Sequence, residues 1–103
     1  MMRHAFKMNI PLEHAAEYKL RHDAIWPELV RTLQEAGVFD YTIYLDEETG
    51  ILFATMKLEE NNQLEALAEK EIVKKWWAFF ADIMTYEDGR PMVRPLREVF
   101  HLG

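Results

Sequence analysis

Three side chains at helical spacing are the strongest candidates for chemistry in this sequence. His14, Tyr18 and His22 recur every four residues, so on a helix they form a ladder along one face. An imidazole can give or take a proton near neutral pH, and a phenol can donate or accept a hydrogen bond. His22 stands out because it lies shortly before Pro27, where a break in the helix can project a side chain into a cavity. The ladder indicates an acid/base role for His22 beside Tyr18; the alternative is a structural histidine.

The adjacent residues Trp76 and Trp77 form a second candidate group. Neighbouring helical positions point about 100° apart, so both indoles cannot pack in the same core layer. Indole rings suit sugars, because sugar C–H faces stack on aromatic rings while the hydroxyls need polar partners. We expect one tryptophan to pack against a sheet and the other to contact a ligand. The alternative is that both are packing residues of a core and a subunit interface.

Other kinds of site are disfavoured by what the sequence lacks. The four histidines are dispersed and no H-E-x-x-H motif is present, so we expect no metal site. The absence of cysteine excludes disulfides and thiolate nucleophiles. The four glycines are isolated, which argues against a phosphate-binding loop, and no cofactor is expected.

Charge and hydropathy narrow the possible partners. The net charge of −6 argues against nucleic acid and against an anionic membrane surface, since both require a basic patch. No apolar run approaches the roughly 20 residues of a membrane span, and the first residues do not have the layout of a signal peptide. The sequence therefore predicts a cytoplasmic protein.

The elements that must position these residues follow from hydrophobic periodicity. Alternation predicts four strands, at residues 2–10, 39–46, 51–58 and 96–102. Helical periodicity predicts a helix from about Glu13 that is interrupted at Pro27 and continues to a glycine cap at Gly37, and a long helix over residues 61–84. Residues 86–91 are predicted to form a loop. The order β-α-β-β-α-β predicts an α+β protein with a ferredoxin-like fold, in a single domain spanning residues 1–103.

The middle strands also suggest a second copy of the chain. Tyr41, Ile43 and Leu45 share one face of their strand, yet Thr42 and Tyr44 on the other face are not strongly hydrophilic. Half of all residues are hydrophobic, which is a heavy apolar load for 103 residues. We therefore expect a homodimer in which two sheets stack into a dimeric α+β barrel. The alternative is a monomer with a moderately apolar open face.

Several motifs together resemble the L-rhamnose mutarotase family. Residues 18–29, YKLRHDAIWPEL, resemble the first signature of that family. Residues 40–46, the run 75–77 and residues 98–102 resemble further family segments, in the same order along nearly the whole chain. Residues 86–92 depart from the serine-containing loop that usually precedes the last strand of the family.

The resemblance implies an isomerase that interconverts the α and β anomers of L-rhamnose. The family uses a dimeric α+β barrel and needs no metal or coenzyme. Carried over by position, its proton donor is His22 and its sugar-binding residues are Tyr18, Tyr41, Trp76 and Trp77. On this interpretation His22 acts as the acid in ring opening. The same fold also supports cofactor-poor monooxygenases and non-catalytic ligand-binding modules, which stay as alternatives because fold does not determine function.

Overall fold

A computed structural model describes all of residues 1–103 as one four-stranded sheet, three α-helices and a small separate hairpin. The strands are β1 (Met2–Asn9), β2 (Val38–Asp46), β3 (Ile51–Leu58), β4 (Tyr86–Glu87), β5 (Arg90–Pro91) and β6 (Arg94–Pro95). The helices are α1 (Ala15–Asp23), α2 (Pro27–Glu35) and α3 (Glu71–Phe80). Short 3₁₀ turns at Leu12–His14 and Glu65–Glu69 precede α1 and α3.

The main sheet has the strand order β2-β3-β1-β6, and every neighbouring pair is antiparallel. The strand β3 therefore lies between β1 and β2, and β1 lies between β3 and β6, as the split β-α-β arrangement requires. The predicted ferredoxin-like α+β fold is confirmed.

One face of this sheet carries the core. In β3 the alternate residues Leu52, Ala54, Met56 and Leu58 are all buried, and they belong to one cluster with apolar residues of the helices. The residues between them are exposed or half-buried, and Phe53 is among the exposed apolar side chains. The helices thus cover one face of the sheet and leave the other open.

The chain breaks between α1 and α2 at the predicted proline. Pro27 is the first residue of α2, where its missing N–H costs nothing, and Trp26 before it is extended with ψ 128°. The break ends α1 at Asp23, directly after His22, and turns Trp26 back towards α3, where its ring meets Trp76.

A β-bulge in β2 decides which way Tyr41 points. The pairing with β3 shifts register between Phe39 and Thr42, and Asp40 within the shift has a left-handed φ of +53°. Val38 is buried on the inner face, and simple alternation would then turn Tyr41 outward. The extra residue reverses the alternation, so Tyr41 also faces inward, with its ring 6.3 Å from that of Phe6.

The long helix predicted over residues 61–84 is wrong in extent, because α3 covers only Glu71–Phe80. Upstream, the Asn62 side chain bonds the Glu59 carbonyl and the Leu64 amide, and such local bonds compete with helix formation. Lys70 is extended with ψ 132° and separates the 3₁₀ turn from α3. Downstream, the backbone carbonyl of Phe79 accepts a hydrogen bond from a side chain on α1 instead of continuing the helix.

The predicted last strand over residues 96–102 is also wrong. Only Arg94 and Pro95 pair with β1, and the residues after Leu96 form no strand. A strand needs a ladder of backbone hydrogen bonds, and the last such bond to β1 is the one from the Leu96 amide to the Ala5 carbonyl. Beyond it only side chains connect the two segments, through the ion pair of Arg3 with Glu98. Residues 86–91, predicted as a loop, instead form the β4–β5 hairpin.

Two substitutions of Asp40 should distinguish the free-energy cost of its positive φ from the effect of losing its carboxylate. Both Asp40→Gly and Asp40→Val remove the exposed ion pair with Lys57, in which nitrogen and oxygen are 3.3 Å apart. A β-branched residue resists positive φ by about 1–2 kcal/mol, whereas glycine adopts it freely. We expect urea unfolding to show Asp40→Val less stable than Asp40→Gly by about that amount. Equal stability would contradict the bulge.

Candidate active site

An open cleft of about 1480 Å³ runs between the inner face of the sheet and the helices. All five residues predicted as site residues line this cleft: His22, Tyr18, Tyr41, Trp76 and Trp77. They come from α1, β2 and α3, which are far apart in the chain. The fold therefore brings together His22, Tyr18 and the tryptophan pair, which helical spacing indicates, and Tyr41, which only the family resemblance indicates.

The His22 imidazole has a fixed orientation and a fixed tautomer. Its Nδ1 lies 3.0 Å from the Tyr18 backbone carbonyl. A carbonyl oxygen only accepts hydrogen bonds, so Nδ1 must carry a hydrogen and donate it. Nε2 is consequently the ring atom that gains and loses the exchangeable proton.

The surroundings of His22 favour its neutral form. The ring centroid lies 4.3 Å from that of Tyr18 and 4.9 Å from that of Phe80. Burial lowers the pKa of His22 below the usual 6.5, and the bond to the Tyr18 carbonyl opposes this only in part. At neutral pH the imidazole is therefore uncharged, with an Nε2 lone pair available to take a proton.

Two tyrosines supply neutral hydroxyl groups to the cleft. Tyr18 is buried, but its hydroxyl has no hydrogen bond within the protein, and no side-chain polar atom is sealed from solvent without a partner. The Tyr18 hydroxyl therefore opens onto the cleft. Its pKa is raised well above 10, first by burial and then by the neighbouring phenols of Tyr41 and Tyr86. Desolvation of its hydroxyl in the cleft raises the pKa of Tyr41 to about 12, although the residue as a whole is 40% exposed.

Tyr86 is a cleft residue that the sequence analysis missed. Its hydroxyl donates a hydrogen bond to the backbone carbonyl of Trp77, which ties the β4–β5 hairpin to α3. Burial, and then the nearby Asp82 carboxylate, raise its pKa to about 12. Tyr86 lies in a short segment without hydrophobic periodicity, so no sequence signal placed it beside Tyr18 and Tyr41.

The two adjacent tryptophans differ as their helical spacing predicts. Trp76 is only 9% exposed and packs edge-on against Trp26 and His22, at centroid distances of 4.9 and 5.4 Å. Trp77 is half-buried, and the guanidinium of Arg90 lies 5.6 Å from the centre of its indole. Trp76 is thus mainly a packing residue, and Trp77 offers the more accessible ring.

Phe80 contacts the His22 ring, and Trp26 packs behind it against Trp76; neither was predicted as a site residue. Phe80 follows Trp76 by four residues, so helical spacing could have placed both on the face that meets α1. Trp26 reaches this cluster only because the chain turns at Pro27.

No group of three or more histidine, aspartate or glutamate side chains is arranged to hold a metal ion. Likewise, none of the helices combines the length and the apolar character needed to span a bilayer.

Alanine at each tryptophan should cost unequal stability. We expect Trp76→Ala to lower the free energy of unfolding by about 3–5 kcal/mol, because it opens a cavity in the buried aromatic cluster. Trp77→Ala should cost about 1 kcal/mol, as at an ordinary partly exposed position. Urea titration followed by circular dichroism measures both, and equal losses would contradict the division between a packing and an accessible indole.

Known proteins resemble this chain over its full length, in sequence and in fold. The L-rhamnose mutarotase family model matches residues 3–102. Proteins named L-rhamnose mutarotase from Sinorhizobium fredii and a Jannaschia species are 50% and 48% identical to the chain, covering 100% and 99% of both partners. A crystal structure of L-rhamnose mutarotase from Formosa agariphila superposes with a TM-score of 0.90 at 46% identity, covering 100% of both chains. The chain belongs to the L-rhamnose mutarotase family.

Proposed function

We propose that this protein is an isomerase that interconverts the α and β anomers of L-rhamnose. Family membership supports the reaction and the substrate. The observation that supports the proposal most directly is the hydrogen bonding of His22. Its Nδ1 donates to a backbone carbonyl, so Nε2 is the nitrogen that can exchange a proton. Around it the cleft offers neutral phenols for hydroxyl groups and an accessible indole for the sugar ring.

The reaction moves one proton and breaks one bond reversibly. The anomeric hydroxyl loses its proton, the bond between C1 and the ring oxygen breaks, and the ring oxygen gains a proton to give the open-chain aldehyde. Rotation about the C1–C2 bond presents the other face of the aldehyde. The reverse proton movements then close the ring as the other anomer, with no net change in protons or electrons.

We assign the proton transfers to Nε2 of His22. Because the pKa of His22 is lowered, the ring rests in its neutral form and first accepts the proton of the anomeric hydroxyl. The imidazolium so formed is the acid that protonates the ring oxygen. Tyr18 and Tyr41 stay protonated throughout and act as hydrogen-bonding groups for the sugar hydroxyls. Trp77 stacks on the ring or its methyl group. Trp76 packs against His22 and Phe80 and so supports the imidazole.

Saturation-transfer NMR on equilibrated L-rhamnose tests the activity and the role of His22 together. The protein should accelerate exchange between the anomer signals without consuming sugar, and His22→Ala should lower the added rate about 10²–10⁴-fold. His14→Ala is the matched control, since His14 lies on the same sequence ladder but outside the cleft lining. Sugar binding without faster exchange would instead indicate a ligand-binding module.

The pH dependence of the same exchange follows from the neutral resting form. Protonated His22 has no lone pair at Nε2, so the added rate should fall as the pH drops through the lowered pKa, and should level off above 6.5. Circular dichroism at each pH controls for unfolding. A rate that rises towards acid, after subtraction of the uncatalysed exchange, would contradict the initial base role.

We also propose that the working form is a homodimer in the cytoplasm, serving rhamnose catabolism. The outer sheet face carries Phe53 and Tyr44, which are 36% and 61% exposed. The C-terminal residues Val99, Phe100 and Leu102 are each about 80% exposed, a large apolar area for a free surface. A second copy of the chain that covers both the outer sheet face and the C-terminal segment would bury these residues and stack the two sheets.

Light scattering at micromolar concentration should give twice the chain mass of 12.3 kDa. Leu102→Asp should weaken the dimer, because a carboxylate would have to be buried in the apolar interface. Leu20→Asp provides the matched control, as Leu20 is an exposed leucine on α1 and not on the outer sheet face. A monomer for the unaltered protein, or equal effects of the two variants, would contradict this interface.

A further inference from the structure

The helix that carries the proposed acid/base residue has little apolar packing of its own. Of the nine residues of α1, only Tyr18 is buried, and most of the others are charged or exposed. A helix with such a narrow apolar stripe is not fixed in position by hydrophobic burial alone. Another interaction must therefore set the distance between α1 and α3, and with it the surroundings of His22.

Arg21 supplies that interaction from the position next to His22. Its Nη1 donates to the Phe79 backbone carbonyl at 2.6 Å and to the Asp82 carboxylate at 3.0 Å, and its Nη2 donates to Asp82 at 3.1 Å. Its Nε donates to Glu17, one turn earlier on α1, at 2.7 Å. The Arg21 side chain is only 14% exposed although it is fully charged. The guanidinium therefore joins α1 to the C-terminal end of α3 with its donors nearly all in use.

The same guanidinium lies on the aromatic rings that surround the site. Its central carbon is 4.7 Å from the ring centre of Phe79 and 5.5 Å from that of Phe80. Phe80 in turn contacts the rings of Tyr18 and His22. Arg21 thus fixes the residue against which both proposed site residues on α1 pack.

We propose that Arg21 is a positioning residue for the reaction: by clamping α1 to the end of α3, it holds His22 and Tyr18 in their productive places in the cleft. This inference rests on the proposed function of the site. Lysine could not replace the clamp fully, because a guanidinium presents five donors in a planar fork while an ammonium is a compact point charge. Arg21 does not face the sugar, so its effect on the reaction passes through His22.

The test compares Arg21→Met with Arg31→Met in the saturation-transfer assay. Arg31 is an exposed arginine on α2 without an ion pair, so its substitution controls for the loss of one positive charge. Misplacing a reacting group by about 1 Å can cost about 100-fold, and we expect Arg21→Met to lower kcat by roughly 10- to 100-fold with a smaller change in KM. Arg31→Met should leave both unchanged, and Arg21→Lys should fall between.

The NMR titration of the His22 ring protons gives a readout that simple destabilisation would not move. In Arg21→Met, loosening of α1 admits water to the imidazole, so the pKa of His22 should rise towards 6.5 while the protein remains folded. If Arg21→Met does not fold, the pKa of His22 is measured in Arg21→Lys and Asp82→Asn instead. Asp82→Asn removes the carboxylate and leaves the bond from Arg21 to the Phe79 carbonyl in place.

The outcomes separate this inference from the function on which it rests. If folded Arg21 variants lose stability but keep the kcat and the His22 pKa of the unaltered protein, Arg21 is only structural and the inference is overturned. If His22→Ala itself keeps the full exchange rate, the proposed function fails, whatever Arg21 does. Loss of kcat with a raised His22 pKa, restored in part by lysine, supports the positioning role.

Discussion

The contact of the His22 imidazole with the aromatic side chains of α3 is the interaction on which the site depends. Burial against Phe80 and Trp76 keeps the ring neutral, and the bond from Nδ1 to the Tyr18 carbonyl leaves Nε2 free. Both effects require that α1 lie at a fixed distance from α3. A wider gap would admit water and return the pKa to its usual value, because desolvation is the main cause of the shift.

The opposite wall of the cleft depends on a backbone irregularity in β2. One extra residue at Asp40, with positive φ, lets Val38 and Tyr41 share the inner face of the same strand. The Tyr41 phenol therefore faces the cleft, while Val38 still pairs with Leu58 in the buried part of the sheet. The bulge and the α1–α3 contact fix the two sides of the cleft independently, one through backbone conformation and the other through side-chain packing.

The distribution of apolar surface links the site to assembly. The inner sheet face and the helices form one core, while the outer face and the residues after Leu96 expose aromatic and aliphatic side chains to water. Backbone hydrogen bonds to β1 end at Leu96, so the residues after it make no backbone hydrogen bond within their own chain, and only the Glu98 side chain still bonds Arg3 of β1. Such a segment gains most from a neighbouring strand or sheet, which is the physical basis of the proposed dimer.

Local patterning in the sequence determined the order of the main strands and helices, the break at Pro27 and the helical face that Tyr18 and His22 share, since periodicity and proline geometry act over a few neighbouring residues. Tyr41 followed only from the resemblance of residues 40–46 to the family. Local patterning did not determine the length of α3, the end of the last strand or the place of Tyr86. Those features depend on contacts between distant segments: the Arg21 bond to the Phe79 carbonyl, the edge of β1, and the hairpin against Trp77. Only the tertiary structure decided them, because hydrogen bonds between residues distant in the chain produce no periodic pattern in the sequence.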